Sequence, residues 1–187
     1  MCLAIYKPAN VTIDELDYLK AGYKNNSHGA GFAWLHKSRL YIKKGYFNYN
    51  DFLDAYLATI EKYNNPAMLI HFRLASLGLL SKENCHPFRI DKNCVFIHNG
   101  TFLQEAFYDK DQLKSDTQLV NERVLQPLQE KHYDIINSQD AIRVIKRVAG
   151  ARNKLIFLNS NNEHLIINEN NGFWDNGVWY SNQGYLY

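Results

Sequence analysis

Short apolar runs, each closed by a turn signal, constrain this chain more than any other feature. Leu3-Ala4-Ile5-Tyr6 stops at Pro8, and Ala30 to His36 turns at Lys37-Ser38 into Leu40-Tyr41-Ile42. Ala67 to Phe72 follows Pro66, and Val95-Phe96-Ile97 runs into a turn at Asn99-Gly100. Leu155-Ile156-Phe157-Leu158 and His164-Leu165-Ile166-Ile167 flank the turn Asn159 to Asn162, with two shorter runs around Gly172-Phe173-Trp174 and Val178-Trp179-Tyr180. Runs of this length, punctuated by Gly, Pro and Asn, read as strands. Tight connections between them predict mostly antiparallel pairing, because a parallel crossover needs a dozen or more residues. No run reaches the roughly 18 apolar residues that would span a bilayer. The first residues lack a basic region followed by an apolar stretch. The expectation is a cytoplasmic protein with no membrane contact.

Between these runs lie helical patterns. Thr12 and Glu15 fit a capping box that opens a helix to about Tyr23. Phe52, Leu53, Tyr56, Leu57 and Ile60 recur at helical spacing after Asn50, and Pro66 closes that element. Ser115 and Gln118 form a second capping box, opening a helix that Pro127 ends. Ala141, Ile142, Val144, Ile145 and Val148 mark a helix capped near Ser138 and stopped at Gly150. Amphipathic helices need a sheet face to cover, so the fold class is layered α+β. The 187 residues carry no repeat, linker or low-complexity segment, which predicts one domain over 1–187. A formal charge of +2 sets up no strong field toward nucleic acid. Arg73 to Pro87 has no clean period, and a loop of this length in a compact domain is more often functional than idle.

Three cysteines, with no C-x-x-C spacing, argue against a disulfide framework. Cys94 sits in an apolar run and reads as a small buried hydrophobe. Cys85 precedes His86-Pro87 in a polar loop. Cys2 follows Met1, and methionine removal is generally favoured before a small residue. The mature chain is then expected to start at Cys2. An amino-terminal cysteine carries a nucleophilic thiol and an α-amine that is substantially neutral near physiological pH, able to serve as base for its own side chain. Attack on a glutamine amide further needs an oxyanion hole, a cation for the α-carboxylate and an anion for the α-ammonium. Asn99 and Gly100 suit the first, although Asn-Gly is also the strongest hairpin signal. Arg73 suits the second with its planar fork, although an arginine closing a strand is ordinarily solvated. Asp116 suits the third, although a carboxylate at a helix start is ordinarily there for the helix dipole.

The order of these pieces carries more information than any one of them. Met1-Cys2, His71-Phe72-Arg73-Leu74-Ala75-Ser76, Asn84-Cys85-His86-Pro87, His98-Asn99-Gly100 and Ser115-Asp116-Thr117-Gln118 follow one another at spacings that resemble the class II glutamine amidotransferases, an amino-terminal-nucleophile group. His28-Gly29-Ala30-Gly31 is similar to the family's early Gly-x-Gly stretch, and Val178-Trp179-Tyr180-Ser181-Asn182 to its late strand-and-serine segment. The resemblance implies a four-layer αββα sandwich of two mostly antiparallel sheets, the amino-terminal-nucleophile hydrolase (Ntn) fold. It implies glutaminase chemistry through a γ-glutamyl thioester on Cys2, with no cofactor. It further implies that Arg73, assisted by Ser76, binds the α-carboxylate and Asp116 the α-ammonium. Asn99 and Gly100 form the oxyanion hole, and His86 and His98 organise the site. Leu3, Leu74 and Leu77 stand where the family commonly has Gly, an aromatic and a polar residue, and Ser76 where Thr is common. These changes bear on substrate choice more than on reaction type.

Three uses of the chemistry stay open on this reading: ammonia supplied to a separate synthase subunit, free-standing glutaminase activity, or cleavage of a γ-glutamyl amide in a larger metabolite. A catalytically inactive binding module is the competing class. So is a metal-binding module on His71, Cys85, His86, Cys94 and His98, though their spacing fits no structural zinc pattern.

Overall fold

The computed structural model describes residues 2–13 and 15–186, with the side chain of Glu105 outside the description. Among the described residues, ten strands form two antiparallel sheets. One has the order β3-β2-β4-β1-β10-β9 and the other β5-β6-β7-β8. The first sheet holds β1 (Leu3–Lys7), β2 (Ala30–His36), β3 (Arg39–Tyr46), β4 (Met68–Phe72), β9 (Phe173–Asp175) and β10 (Val178–Tyr180). The second holds β5 (Phe88–Asp91), β6 (Cys94–Asn99), β7 (Lys154–Asn159) and β8 (His164–Ile167). The helices are α1 (Leu16–Asn25), α2 (Tyr49–Lys62), α3 (Asp116–Val120), α4 (Gln126–His132) and α5 (Gln139–Ala149).

The layering follows from strand periodicity. Successive side chains point to opposite faces, and here both faces of the inner strands are covered. Leu3 and Ile5 of β1 pack with Leu19 of α1 and Phe52 of α2, whereas Ala4 and Tyr6 pack toward the other sheet with Ile97 and Leu158. Phe96 and Phe157 face Leu119 of α3 and Ile145 of α5, whereas Val95 and Ile156 join the inter-sheet core. The result is helices, sheet, sheet, helices: the four-layer αββα sandwich. Double burial is why these strands read as unbroken apolar runs rather than alternating ones. Among the described residues, no helix is long and apolar enough to cross a membrane.

Local signals held where nothing tertiary competed. Lys37 and Ser38 both adopt φ near +50° in the β2–β3 turn, the geometry a two-residue hairpin demands. Asn48 caps α2, accepting from the N–H groups of Asn50 and Asp51, and Ser138 caps α5 through Ala141 N–H. Elsewhere packing overrode them. The helix opens later than a capping box at Thr12 and Glu15 predicts: α1 starts at Leu16, and Glu15, at the cap position, makes no side-chain capping bond. Ile13, ahead of the helix, is buried in the core with Leu19 and Tyr23. Pro127 does not end its helix. The turn Asn121–Leu125 is π-helical, with Gln126 N–H reaching Asn121 O, and α4 continues to His132. The widened turn relieves the clash and lost donor that proline brings to a regular helix. Strand β5 alternates, with Phe88 and Ile90 facing the core, but its four residues are too short a run to stand out in the sequence.

Lys7 is fully buried, its Nζ donating to the carbonyls of Pro8, Val11 and Pro66 and to Asn65 Oδ1 at 2.6–3.1 Å. It ties the end of β1 to the entry of β4. Burial lowers its pKa to about 8.

Candidate active site

Strand register brings the first candidates together. Leu3 of β1 lies opposite Phe72 of β4, so the residue before β1, Cys2, neighbours the residue after β4, Arg73. The Cys2 thiol accepts from Leu74 N–H (3.2 Å) and donates to Leu74 O (3.4 Å). Asn182 Nδ2 holds the Cys2 carbonyl at 2.8 Å. The second sheet meets the first at this end of the sandwich: His71, on the inner face of β4, hydrogen-bonds through Nε2 to His98 O of β6 at 2.9 Å. Asn99 closes β6 opposite Lys154 of β7, so Asn99-Gly100 is the exit from a central strand and not a hairpin turn.

Cys2, Arg73, Ser76, His86, His98, Gly100 and Asp116 line one cavity, with Leu74 and Leu77 beside them. Its volume is about 20 Å³, room for a single water. Asn99 is not among the residues that line it.

Arg73 is 3% exposed, and among the described residues no carboxylate pairs with it. Its guanidinium instead donates to Leu79 O (2.8 Å) and Leu77 O (2.9 Å), so the loop after β4 is folded back onto it. Burial pulls its pKa down. Asp116, 6% exposed, accepts Phe102 N–H on Oδ2 (2.6 Å) and Thr117 N–H on Oδ1 (2.8 Å). Oδ2 has that one donor, whereas Thr117 Oγ1 also lies 3.4 Å from Oδ1. Ser115 caps α3 through Gln118 N–H at 3.2 Å. The reciprocal arm comes from Asn84, whose Oδ1 accepts Ser115 N–H at 2.8 Å.

Asn99 Nδ2 donates to Ser181 Oγ at 2.7 Å, while Asn99 Oδ1 is buried without a partner. Ser181 Oγ already accepts Ala4 N–H at 2.9 Å. Turning the amide about its Cβ–Cγ axis lets the Ser181 hydroxyl donate to Oδ1 and releases Nδ2 as a donor. Either orientation makes one bond to Ser181, and the turned one leaves Nδ2 to donate to a bound group.

Three imidazoles support the cavity from within. His71 and His86 stack with centroids 3.9 Å apart. Burial lowers the His71 pKa to about 3 and holds His86 well below the ordinary value, so both rings are neutral at pH 7. His98 N–H donates to His86 Nδ1 at 3.2 Å, which places the His86 proton on Nε2. The carbonyl of His98 accepts from His71, which places that proton on Nε2 as well. Burial also lowers the His98 pKa. Among the described residues, no three His, Cys, Asp or Glu side chains are grouped so as to hold a metal ion. Cys94 lies in the core with Phe96 and Phe157, and all three cysteines are free thiols.

Two glycines are required by close approach. A Cβ on Gly31 would stand 2.2 Å from the His86 carbonyl. A Cβ on Gly100, whose φ is +149°, would stand 2.1 Å from Asn153 Oδ1. The site residues that sequence reasoning missed as such are Asn84, Thr117, Asn153, Ser181 and Asn182. Asn84, Thr117, Ser181 and Asn182 fall inside the quoted motifs, but Asn153 has no local signal at all.

No family model matches the chain, and no curated protein matches it by sequence. In structure it is similar to the glutamine phosphoribosylpyrophosphate amidotransferase from B. subtilis, in a complex with ADP and GMP, at 15% identity and a TM-score of 0.56. The match covers 96% of this chain and 41% of that one. The fold is that of the amino-terminal-nucleophile hydrolases. This chain spans about two fifths of the length of that neighbour.

Proposed function

We propose that this chain hydrolyses the side-chain amide of glutamine, with Cys2 as an amino-terminal nucleophile once Met1 has been removed. Met1 lies outside the described residues. The observation that carries the reading is convergence. Cys2, Arg73, Gly100 and Asp116, remote in sequence, share one cavity that holds a buried cation and a buried carboxylate. The α-carbon of glutamine bears the complementary pair of charges.

Burial raises the Cys2 thiol pKa, with the Leu74 N–H and the Arg73 charge opposing it, so the thiol needs a base at neutral pH. The freed α-amine of Cys2 takes the proton. The thiolate attacks the amide carbon, and the oxyanion is held by Asn99 Nδ2 and Gly100 N–H. The C–N bond breaks, the α-ammonium returns its proton to the departing nitrogen, and ammonia leaves a γ-glutamyl thioester. Water hydrolyses it to glutamate and restores the thiol. Arg73, freed from the loop carbonyls and assisted by Ser76, binds the α-carboxylate. Asp116 binds the α-ammonium, and His86 and His98 stay neutral and hold the walls. Residues 1–187 act as one glutamine amidotransferase type-2 domain in the cytoplasm, without cofactor or metal, and a separate synthase subunit is one acceptor for the ammonia.

A second reading, cleavage of a γ-glutamyl amide in a larger metabolite, is favoured by an open groove of about 480 Å³ beside the cavity. Thr101 and Asn153 line it, and they bond to Ser76 and His98 of the cavity wall. An amine larger than ammonia has room there.

The test is incubation of the full chain with a glutamine-like electrophile, followed by mass spectrometry. Labelling at residue 2 with Met1 absent is expected, and Cys2→Ala loses both the label and ammonia release. Full activity in Cys2→Ala, or an active protein that retains Met1, sinks the proposal. Ammonia released steadily from free glutamine separates the first reading from the second.

A further inference from the structure

A chain of hydrogen bonds runs from the end of α5 to the carboxylate assigned to the substrate ammonium. Asn153 Nδ2 donates to Ala149 O at 2.9 Å, which fixes the amide and leaves Oδ1 facing His98 Nε2 at 2.9 Å. An amide oxygen only accepts, so the proton of His98 is on Nε2. His98 Nδ1 is then an acceptor, and the Thr117 hydroxyl donates to it at 2.7 Å. Thr117 Oγ1 also lies 3.4 Å from Asp116 Oδ1. His98 and Thr117 are each 2% exposed, so the ring and the hydroxyl depend on one another for partners.

We propose that Asn153 is a positioning residue for substrate recognition: by fixing the His98 tautomer it turns the Thr117 proton away from Asp116 and keeps that carboxylate's lone pair for an α-ammonium. The inference rests on the glutaminase reading above. With the opposite tautomer, His98 Nδ1–H donates to Thr117 Oγ1, and the hydroxyl proton turns to Asp116 Oδ1. That bond takes the lone pair and weakens the pull on a cation. Asn153 also backs the oxyanion side, since its Oδ1 occupies the space a Cβ on Gly100 would need.

The experiment compares Asn153→Leu, which removes the acceptor, with Asn153→Asp, which keeps one, in the full chain. Ammonia release is measured from glutamine and from its analogue lacking the α-amino group. The ratio of the two kcat/KM values is expected to fall about tenfold in Asn153→Leu, the scale of one hydrogen bond to a charged group, and to hold within about twofold in Asn153→Asp. Nitrogen-15 NMR of the histidine rings, with His98 assigned through His98→Gln, is expected to show Nε2–H in the wild type and a mixture in Asn153→Leu. An unchanged ratio with both rates lowered makes Asn153 merely structural and overturns the proposal. So does an Nδ1–H signal from wild-type His98. A folded wild type that releases no ammonia from either substrate overturns instead the glutaminase reading on which the proposal rests.

Discussion

At the scale of single residues, the site is a set of buried polar groups whose partners are nearly all assigned. Leaving a buried donor or acceptor unpaired costs more than a formed bond returns, so each of these residues is held by several others. Gly100 shows how little slack remains. Its φ of +149° strains any L side chain, and Asn153 Oδ1 fills the place of a Cβ. Gly100→Ala is expected to destabilise the fold by about 2–3 kcal/mol and to remove most of the ammonia release. Urea titration beside an activity assay checks both. A stable Gly100→Ala protein with wild-type turnover would show that the approach of Asn153 to Gly100 is dispensable.

At the scale of elements, the loop from Arg73 to Pro87 behaves as a flap pinned at two places. Arg73 holds it from below through Leu77 O and Leu79 O. Asn84 holds it from the side, donating to Leu79 O and Leu113 O and accepting from Ser115 N–H, which links the flap to the entry of α3. A cavity of about 20 Å³ does not admit glutamine, so on the proposed function the flap would have to rise and the guanidinium exchange carbonyls for the substrate carboxylate. Asn84→Ala removes three bonds at roughly 1 kcal/mol each, about 2–3 kcal/mol in all. It is expected to lower the urea midpoint accordingly and to speed proteolytic cutting within residues 74–83 several-fold. Unchanged cutting would mean that the flap is held by something other than Asn84.

At the scale of the whole molecule, three neutral imidazoles sit where the two sheets close on each other. The sign of their effect on stability follows from linkage. Each has a lower pKa folded than unfolded, so between the two values the unfolded chain binds more protons and stability rises with pH. For His71 the window runs from about 3 in the folded protein up to the ordinary 6.5. Its contribution is complete above pH 6.5 and falls by roughly 1.4 kcal/mol per pH unit below it. Urea unfolding at pH 7, 6 and 5 is expected to show a steep loss, and His71→Gln a curve flatter by about that slope. Equal slopes in the two proteins would place the proton uptake elsewhere.

The sequence by itself determined the described strands other than β5, the caps at Ser115 and Ser138, and the layered class, because periodicity and turn chemistry act over a few residues. The cap at Ser138 and the turn at Lys37-Ser38 needed no tertiary help, whereas Ser115 takes the second arm of its cap from Asn84. It also presented the residues of the candidate site in order, since each motif is contiguous. Tertiary structure decided what depends on distant partners. Pro127 lies inside a helix because a π turn precedes it. Asn99-Gly100 leaves the sheet because β7, more than fifty residues on, is the partner of β6. Arg73 carries loop carbonyls, and Asn153, silent in the sequence, sets a tautomer at His98. A hydrogen bond between residues 55 positions apart leaves no periodic trace in a chain, and only the packed sandwich brings its two ends within 2.9 Å.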